Sequence, residues 1–360
     1  MTKSWDAAIC GGGAVGLSIA FRLAQRGLKV ALFDQSEFGT EASWAGAGML
    51  PPGFPGPPDD FVNQLCQKSS RIWPEWSGQI RELSGIDAEY QRCGAWEIPL
   101  SAESRDEEIA AWQTAGVQVS GTALTAGDVS HEQCHWGLAP DRSHAAFFLP
   151  DFAQVRNPRY LAGLLTACQK LGVSLFPRTP VTGLIRDKDR VTALQTSERT
   201  FHANNTIIAA GAWSSALAKQ AGIEIDVRPL RGQMILLKSE PGRLTHVIEQ
   251  GKRYIVPRRD GRVLIGSTEE DQGFVKANTA EGLADLREFA FALVPELAEA
   301  EVEKTWSGLR PFAPRGKPYV GPVEDCPNLL LATGHFRNGL QWSPLTALTI
   351  ERYICATDVA

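Results

Sequence analysis

The stretch Trp5-Asp6-Ala7-Ala8-Ile9-Cys10-Gly11-Gly12-Gly13-Ala14-Val15-Gly16 decides the fold. It is followed by Leu17, Ala20, Phe21 and Ala24 at helical spacing and then by Val30-Ala31-Leu32-Phe33-Asp34. A short apolar run, a glycine turn and a segment with one apolar face read as strand, tight turn and helix. Gly27 closes the helix and the second apolar run is a parallel strand, which completes a βαβ unit. Gly11, Gly13 and Gly16 supply G-x-G-x-x-G: one glycine for the turn, one for backbone approach to a pyrophosphate, one for packing helix on strand. The helix N-terminus offers unpaired N–H groups and partial positive charge to an anion. Asp34 can accept hydrogen bonds from ribose hydroxyls and disfavours a 2′-phosphate, so a dinucleotide other than NADP is expected.

Working outward, Pro51-Pro52-Gly53-Phe54-Pro55-Gly56-Pro57-Pro58-Asp59-Asp60 can only be a loop, because proline fixes φ and removes donors. Asn204 to Gly211 reads as a strand ending in a glycine turn, a return to the first sheet. Met234 to Leu237, Tyr254 to Pro257 and Val263 to Ile265 are strands of a second, antiparallel lobe. Asn328 to Thr333 is a buried strand, Gly334 to Leu340 a glycine-bearing loop, and Ser343 to Ile354 a helix opened by Ser343-Pro344. The expected class is α/β: a Rossmann-type cofactor domain interleaved with a mainly antiparallel-sheet substrate domain. The boundaries expected are 1–80, 150–220 and 305–360 for the first, and 81–149 and 221–304 for the second.

The chain has 360 residues, 43% of them hydrophobic, enough for two cores. A net charge of −5 with mixed signs offers no field for nucleic acid and points to a small-molecule partner. No run approaches the roughly 20 apolar residues of a membrane span and no leader pattern opens the chain, so a cytoplasmic, membrane-free protein is expected. The 7 cysteines form no C-x-x-C pair and are expected as reduced thiols. His131, Cys134 and His135 form the one cluster with metal-ligand character, but no completing ligand lies nearby and no metal is expected.

The glycine turn alone does not separate NAD from FAD. Glu41 to Leu50, a small-residue segment directly after the second strand, lets backbone lie against a flat, bulky ring. This segment, Arg231-Gly232-Gln233, Tyr254-Ile255-Val256-Pro257-Arg258, Gly308-Leu309-Arg310-Pro311, Gly316-Lys317-Pro318 and Gly334-His335-Phe336-Arg337-Asn338-Gly339 occur in order over most of the chain. In these motifs the chain resembles the FAD-dependent D-amino-acid oxidase family, its glycine oxidase branch above all. The resemblance implies noncovalent FAD. Gly11, Gly13, Ala14, Val15, Gly16, Asp34 and Gln35 would hold the ADP half, with Val181 meeting adenine through its backbone and Gly211 contributing its turn. Ala42, Ser43, Ala47, Gly48 and Met49 would line pyrophosphate and flavin. His335, Phe336, Arg337, Asn338, Gly339, Leu340 and Gln341 would wrap the pyrimidine side. A turn histidine is the plain alternative for His335.

Arg310 stands in an apolar context where a guanidinium needs an anion, and the resemblance makes that anion a substrate carboxylate; an internal ion pair is the alternative. Tyr254 is expected on the same carboxylate, or as a core tyrosine on its strand. Arg337 touches the substrate or braces the flavin loop, and Met49 forms an apolar wall. The implied reaction is oxidation of glycine, sarcosine, D-alanine or a similar small amine by hydride transfer to flavin N5, then imine hydrolysis to a 2-oxo acid (glyoxylate from glycine) and ammonia. Molecular oxygen is the implied acceptor, giving hydrogen peroxide, and homo-oligomers and a supply of imine to thiamine synthesis are further implications. No obligatory general base is evident. Lys252 and Gln341-Trp342 depart from the branch's pattern; Trp342 would narrow the pocket toward glycine or sarcosine, or, packed differently, admit larger D-amino acids. The rivals are a flavin dehydrogenase using a quinone or carrier, a nicotinamide dehydrogenase and a non-catalytic flavin-binding regulator.

Overall fold

The structure is a computed structural model that describes residues 4–57, 59–101, 103–124 and 146–356. Its first sheet is built on the strand Ser4–Cys10, which pairs in parallel with Val30–Phe33 on one side and Thr200–Ile208 on the other. Ser174–Phe176 extends it beyond Val30–Phe33, and Cys326–Thr333 lies parallel to Thr200–Ile208. The strands are apolar on both faces because both are covered, as parallel sheets require. One cover is a layer of four helices, Ala14–Gln25, Phe61–Ser84, Asn157–Lys170 and Ser343–Ala356. The expected strand, turn and helix order of the N-terminus is therefore present, as is the C-terminal return to the same sheet.

The second sheet runs Glu301–Phe312, Arg228–Lys238, Arg262–Gly266, Arg253–Pro257, Val247–Gln250, Ala95–Glu97, Ala146–Leu149 and Ser120–Leu124. Its pairs are antiparallel except Val247–Gln250 with Ala95–Glu97. Glu301–Phe312 stays bonded to Arg228–Lys238 along its length, with Phe312 opposite Arg228. Residues 305–312, grouped with the cofactor lobe in the boundaries above, thus have their hydrogen bonds in the substrate sheet. The composition of this strand hides the fact, since neither strand of the pair alternates cleanly. His131, Cys134 and His135 lie outside the described residues. No helix among the described residues is long and apolar enough to cross a membrane.

One buried hydroxyl ties the helical layer together. The Tyr160 hydroxyl accepts from Trp76 Nε1 at 3.0 Å and shares hydrogen bonds with Ser18 and Ser343 Oγ at 3.1 and 3.0 Å, so each of the four helices contributes one partner. Tyr160→Phe keeps the ring but strands the Trp76 N–H, and a buried unsatisfied donor costs about 1–3 kcal/mol. Urea unfolding should show that loss in the midpoint at unchanged slope, whereas an unchanged midpoint would mean that water replaces the hydroxyl.

Candidate active site

The turn that follows Ser4–Cys10 leaves no room for side chains at two of its glycines. A Cβ on Gly11 would lie 2.4 Å from Ala209 O, and one on Gly16 would lie 1.8 Å from Gly11 O. Gly13 differs: its backbone is extended and an added Cβ would meet only Ser43 Oγ at 3.0 Å. The hydroxyl of Ser43 accepts from Ala14 N at 2.8 Å, which docks the small-residue segment on the helix N-terminus. Asp34 accepts from Gly12 N at 2.7 Å and Ser36 N at 2.8 Å. Burial nonetheless pushes its carboxyl above the ordinary range, against the pull of these two donors.

These residues open onto a cavity of about 730 Å³ bounded by both sheets. Gly11, Gly13, Ala14, Val15, Asp34 and Gln35 line one end, with Val181 and Gly211 beside them. Thr179 N donates to Asp34 O at 2.7 Å, which brings Val181 to that end of the cavity. Ala42, Ser43, Ala47, Gly48 and Met49 form the middle wall, and His335, Phe336, Arg337, Asn338, Gly339 and Leu340 a further wall. Two residues of the expected set lie off it. Gly16 packs behind the turn. Gln341 is buried, its Nε2 donating to Pro51 O at 3.0 Å and Ser70 Oγ at 3.0 Å while its carbonyl accepts from Trp73 Nε1 at 2.9 Å. Trp342 does not narrow the cavity either: it is buried with Nε1 directed to Cys66 Sγ at 3.3 Å. Sequence spacing misled here because the chain turns into the helix Ser343–Ala356, carrying both side chains into the core.

The small-residue wall is held by residues that the sequence reading did not single out. Arg258 reaches across from the second sheet, giving Nη2 to Ala47 O at 2.6 Å and Nη1 to Gln154 Oε1 at 2.7 Å and Val155 O at 3.0 Å. Asn157 donates to Ser43 O at 3.0 Å and Trp44 O at 3.3 Å. His335 is buried with Nε2 3.0 Å from Thr346 Oγ1, and burial pushes its pKa down to about 4. It is a neutral turn histidine whose backbone borders the cavity.

Arg310, in Glu301–Phe312, is a half-buried cation of the second sheet, where the more deeply buried Arg231 is paired with Glu270. It donates to Thr268 O at 3.1 Å and to Ser267 Oγ, and no carboxylate among the described residues pairs with it. The internal ion pair considered for it is absent. Burial lowers its pKa, while neighbouring Tyr254 partly offsets that loss. Tyr254 lines the same part of the cavity, its hydroxyl 3.4 Å from Met234 Sδ. Arg337 is committed to Glu269, which also takes Lys252 Nζ at 3.1 Å. Although partial burial opposes the charge, these two cations hold the Glu269 carboxyl below its usual range. Glu97 and Glu249 also line this end and were not anticipated. Their sequence signal is slight, a single acid in each of two short strands.

A βαβ turn with a ribose-facing acid, a wall of small residues and a cavity sized for more than a nicotinamide fit FAD, and these features define a flavin-dependent oxidoreductase. Residues 6–352 match the DAO family of FAD dependent oxidoreductases, and the chain belongs to that family. It is 38% identical to the glycine oxidase of Pseudomonas putida over 93% of this chain and 90% of the relative. It is 33% identical to the bifunctional protein ThiO/ThiG of Trichormus variabilis, over 97% of this chain and 52% of that longer protein. The crystal structure of glycine oxidase from Geobacillus kaustophilus superposes with a TM-score of 0.92 at 31% identity, over 99% of this chain and 95% of that one.

The contrast between the glycines is testable. Gly13→Val demands no unusual backbone and meets only a flexible hydroxyl, but it fills the space a pyrophosphate needs. The variant should fold, with a circular dichroism spectrum like the parent's, and carry little or no FAD by visible absorbance. Folded protein with a full complement of FAD would show that Gly13 does not face the cofactor.

Proposed function

We propose that this chain oxidatively deaminates glycine or another small amino acid or secondary amine, such as sarcosine or D-alanine, to the 2-oxo acid and ammonia (methylamine from sarcosine), with oxygen as terminal acceptor and peroxide as product. The observation that carries the proposal is the half-buried Arg310 guanidinium, which lines the cavity beside Tyr254 without a carboxylate partner among the described residues. A desolvated cation of this kind calls for an anion, and a planar fork accepts a carboxylate through two parallel hydrogen bonds.

The residues that would hold FAD are the Gly11–Val15 turn, Asp34, Gln35, Val181 and Gly211 for the ADP half, and Ala42–Met49 with His335–Leu340 for the ring. When bound, FAD would supply the acceptor for the two electrons of the α-carbon–hydrogen bond, which leave as a hydride. The protein's part is orientation. Arg310 takes the substrate carboxylate, the Tyr254 hydroxyl donates to the same group, and Met49 closes one side of the α-carbon's position. His335, neutral and turned to Thr346, transfers no proton. Arg337, held by Glu269, braces the loop. Water then hydrolyses the imine. Support for glycine in particular comes from the relatives named above, and a supply of imine to thiamine synthesis follows from the same source. Cytoplasmic location and homo-oligomeric assembly belong to the proposal on resemblance alone.

Arg310→Ala should lose about 2–5 kcal/mol of transition-state binding, a fall in kcat/KM for glycine or sarcosine of roughly 30-fold to several thousand-fold, with FAD content near normal. Arg310→Lys should recover only part, since an ammonium lacks the planar fork. Ethylamine, without a carboxylate, should be a poor substrate that the mutation barely affects. Equal efficiency of parent and Arg310→Ala on the amino acids would make Arg310 structural. The acceptor is tested separately: turnover in air should release one peroxide per amine oxidised, while rapid dye reduction without peroxide would transfer the chain to the quinone- or carrier-dependent class.

A further inference from the structure

One wall of the substrate end carries two acids that the proposed reaction leaves unused. Across the second sheet Met234 stands opposite Gly266, Gly266 opposite Tyr254, Tyr254 opposite Glu249, and Glu249 opposite Glu97. Registered neighbours point to one face of a sheet, and Met234, Tyr254, Glu249 and Glu97 all line the cavity. Like charges directly opposite each other on adjacent strands destabilise a sheet. Glu97 is nonetheless only 8% exposed, and neither it nor Glu249 has a hydrogen-bond or ion-pair partner among the described residues. Glu108, from the helix Arg105–Thr114, adds a third carboxylate and is held by Ser104 Oγ at 2.7 Å. Arg337 and Lys252 are bonded to Glu269, and Arg337 draws the Glu249 carboxyl down from a distance without pairing with it. Burial, and then the charges of Glu249 and Glu108, push the Glu97 carboxyl well above its usual range; burial does the same to Glu249.

Distance separates this pair from the α-amine. Neighbouring strands lie about 4.8 Å apart, so Glu249 and Glu97 stand roughly 5 and 10 Å beyond Tyr254 along the row, on the side away from Arg310. A substrate ammonium is one carbon from the carboxylate that Arg310 and Tyr254 hold, and stays at their end. A group at the tip of a four-methylene side chain reaches the acids. We propose that Glu97 and Glu249 form a cation-accepting subsite, so that the enzyme's preferred substrates are amino acids or N-substituted glycines bearing a second positive group at the far end. The proposal rests on the carboxylate-clamp reading of the cavity. It explains two unpartnered acids facing one another in a cavity wall: the pair is completed by the ligand, as Arg310 is at the other end.

The test compares isosteres that differ only at the tip: D-lysine with D-2-aminoheptanoic acid, and the achiral N-(3-aminopropyl)glycine with N-butylglycine. With FAD-loaded protein, kcat/KM is measured for each compound that is oxidised, and the dissociation constant from the perturbed flavin absorbance for each that is not. The cationic member should be favoured in both pairs, and Glu97→Gln with Glu249→Gln should reduce that preference by roughly 10- to 100-fold, the size expected for charged hydrogen bonds. Because each preference is a ratio within one sample, partial misfolding or FAD loss cancels. No preference in the parent, absence of binding by the cationic compounds, or a preference unchanged in the variants would each overturn the subsite. Failure of the underlying reaction looks different: glycine and sarcosine would then go unoxidised, while the binding ratios would still report on the acids.

Discussion

The guanidinium of Arg258 leaves the second sheet and ends among carbonyl oxygens of the other lobe, with no carboxylate at bonding distance. Its partners are Ala47 O, Val155 O and the Gln154 amide, and burial lowers its pKa to about 10. Everything that borders the cavity is spaced by this contact. Ala47 carries the small-residue wall, Gln154 pairs with Met49 in a three-stranded sheet, and Asn157 beside it holds the carbonyls of Ser43 and Trp44. A charge paired only with dipoles is costly to bury, and replacing one partner would leave the rest short of a donor. A rivet of this kind fixes the distance between the second sheet and the small-residue segment across the cavity.

The cavity's electrostatics follow from which charges are satisfied and which are not. Arg231, Arg337 and Lys252 have acidic partners, so their fields are largely internal. Arg310 does not, and neither do Glu97 and Glu249. Charges left open inside a desolvated space act strongly on whatever enters. Arg310 toward one end and the two acids toward the other lie along one row of strands.

Much of this was legible in the sequence, for physical reasons that differ by region. The βαβ unit could be read because each residue from Trp5 to Asp34 serves one local demand, an apolar strand, a turn without side chains or a helix face. The C-terminal strand and helix were legible from the same periodicity. The ends of the second lobe were not. Whether 305–312 belongs to one sheet or the other depends on pairing with Arg228–Lys238, residues far away in the chain, and pairing leaves no local mark. Gln341 and Trp342 follow a cavity-lining loop by a single step, yet the onset of a helix turns them inward. Glu97 and Glu249 become a pair only when two short strands align. Arg258 was visible as part of a motif, but its role was not, because its partners are backbone atoms and carry no sequence signal.

The floor of the substrate end is shaped by glycines of a different kind from those of the cofactor turn. Gly232, Gly266 and Gly308 do not have the positive φ that favours glycine, and what they supply is space. A Cβ at Gly232 would lie 2.3 Å from the Arg310 guanidinium, one at Gly266 would lie 2.5 Å from the Tyr254 ring, and one at Gly308 would lie 2.5 Å from Ala45 Cβ. Each is registered within this set of strands: Gly232 faces Gly308, and Gly266 faces both Met234 and Tyr254. The sheet thus has a trough one side chain deep, into which Arg310 and Tyr254 lie down and over which the small-residue segment can approach. A larger residue at Gly232 or Gly266 would displace Arg310 or Tyr254, and one at Gly308 would displace Ala45. The position of the clamp is therefore set less by the arginine and tyrosine than by the absence of side chains beneath them.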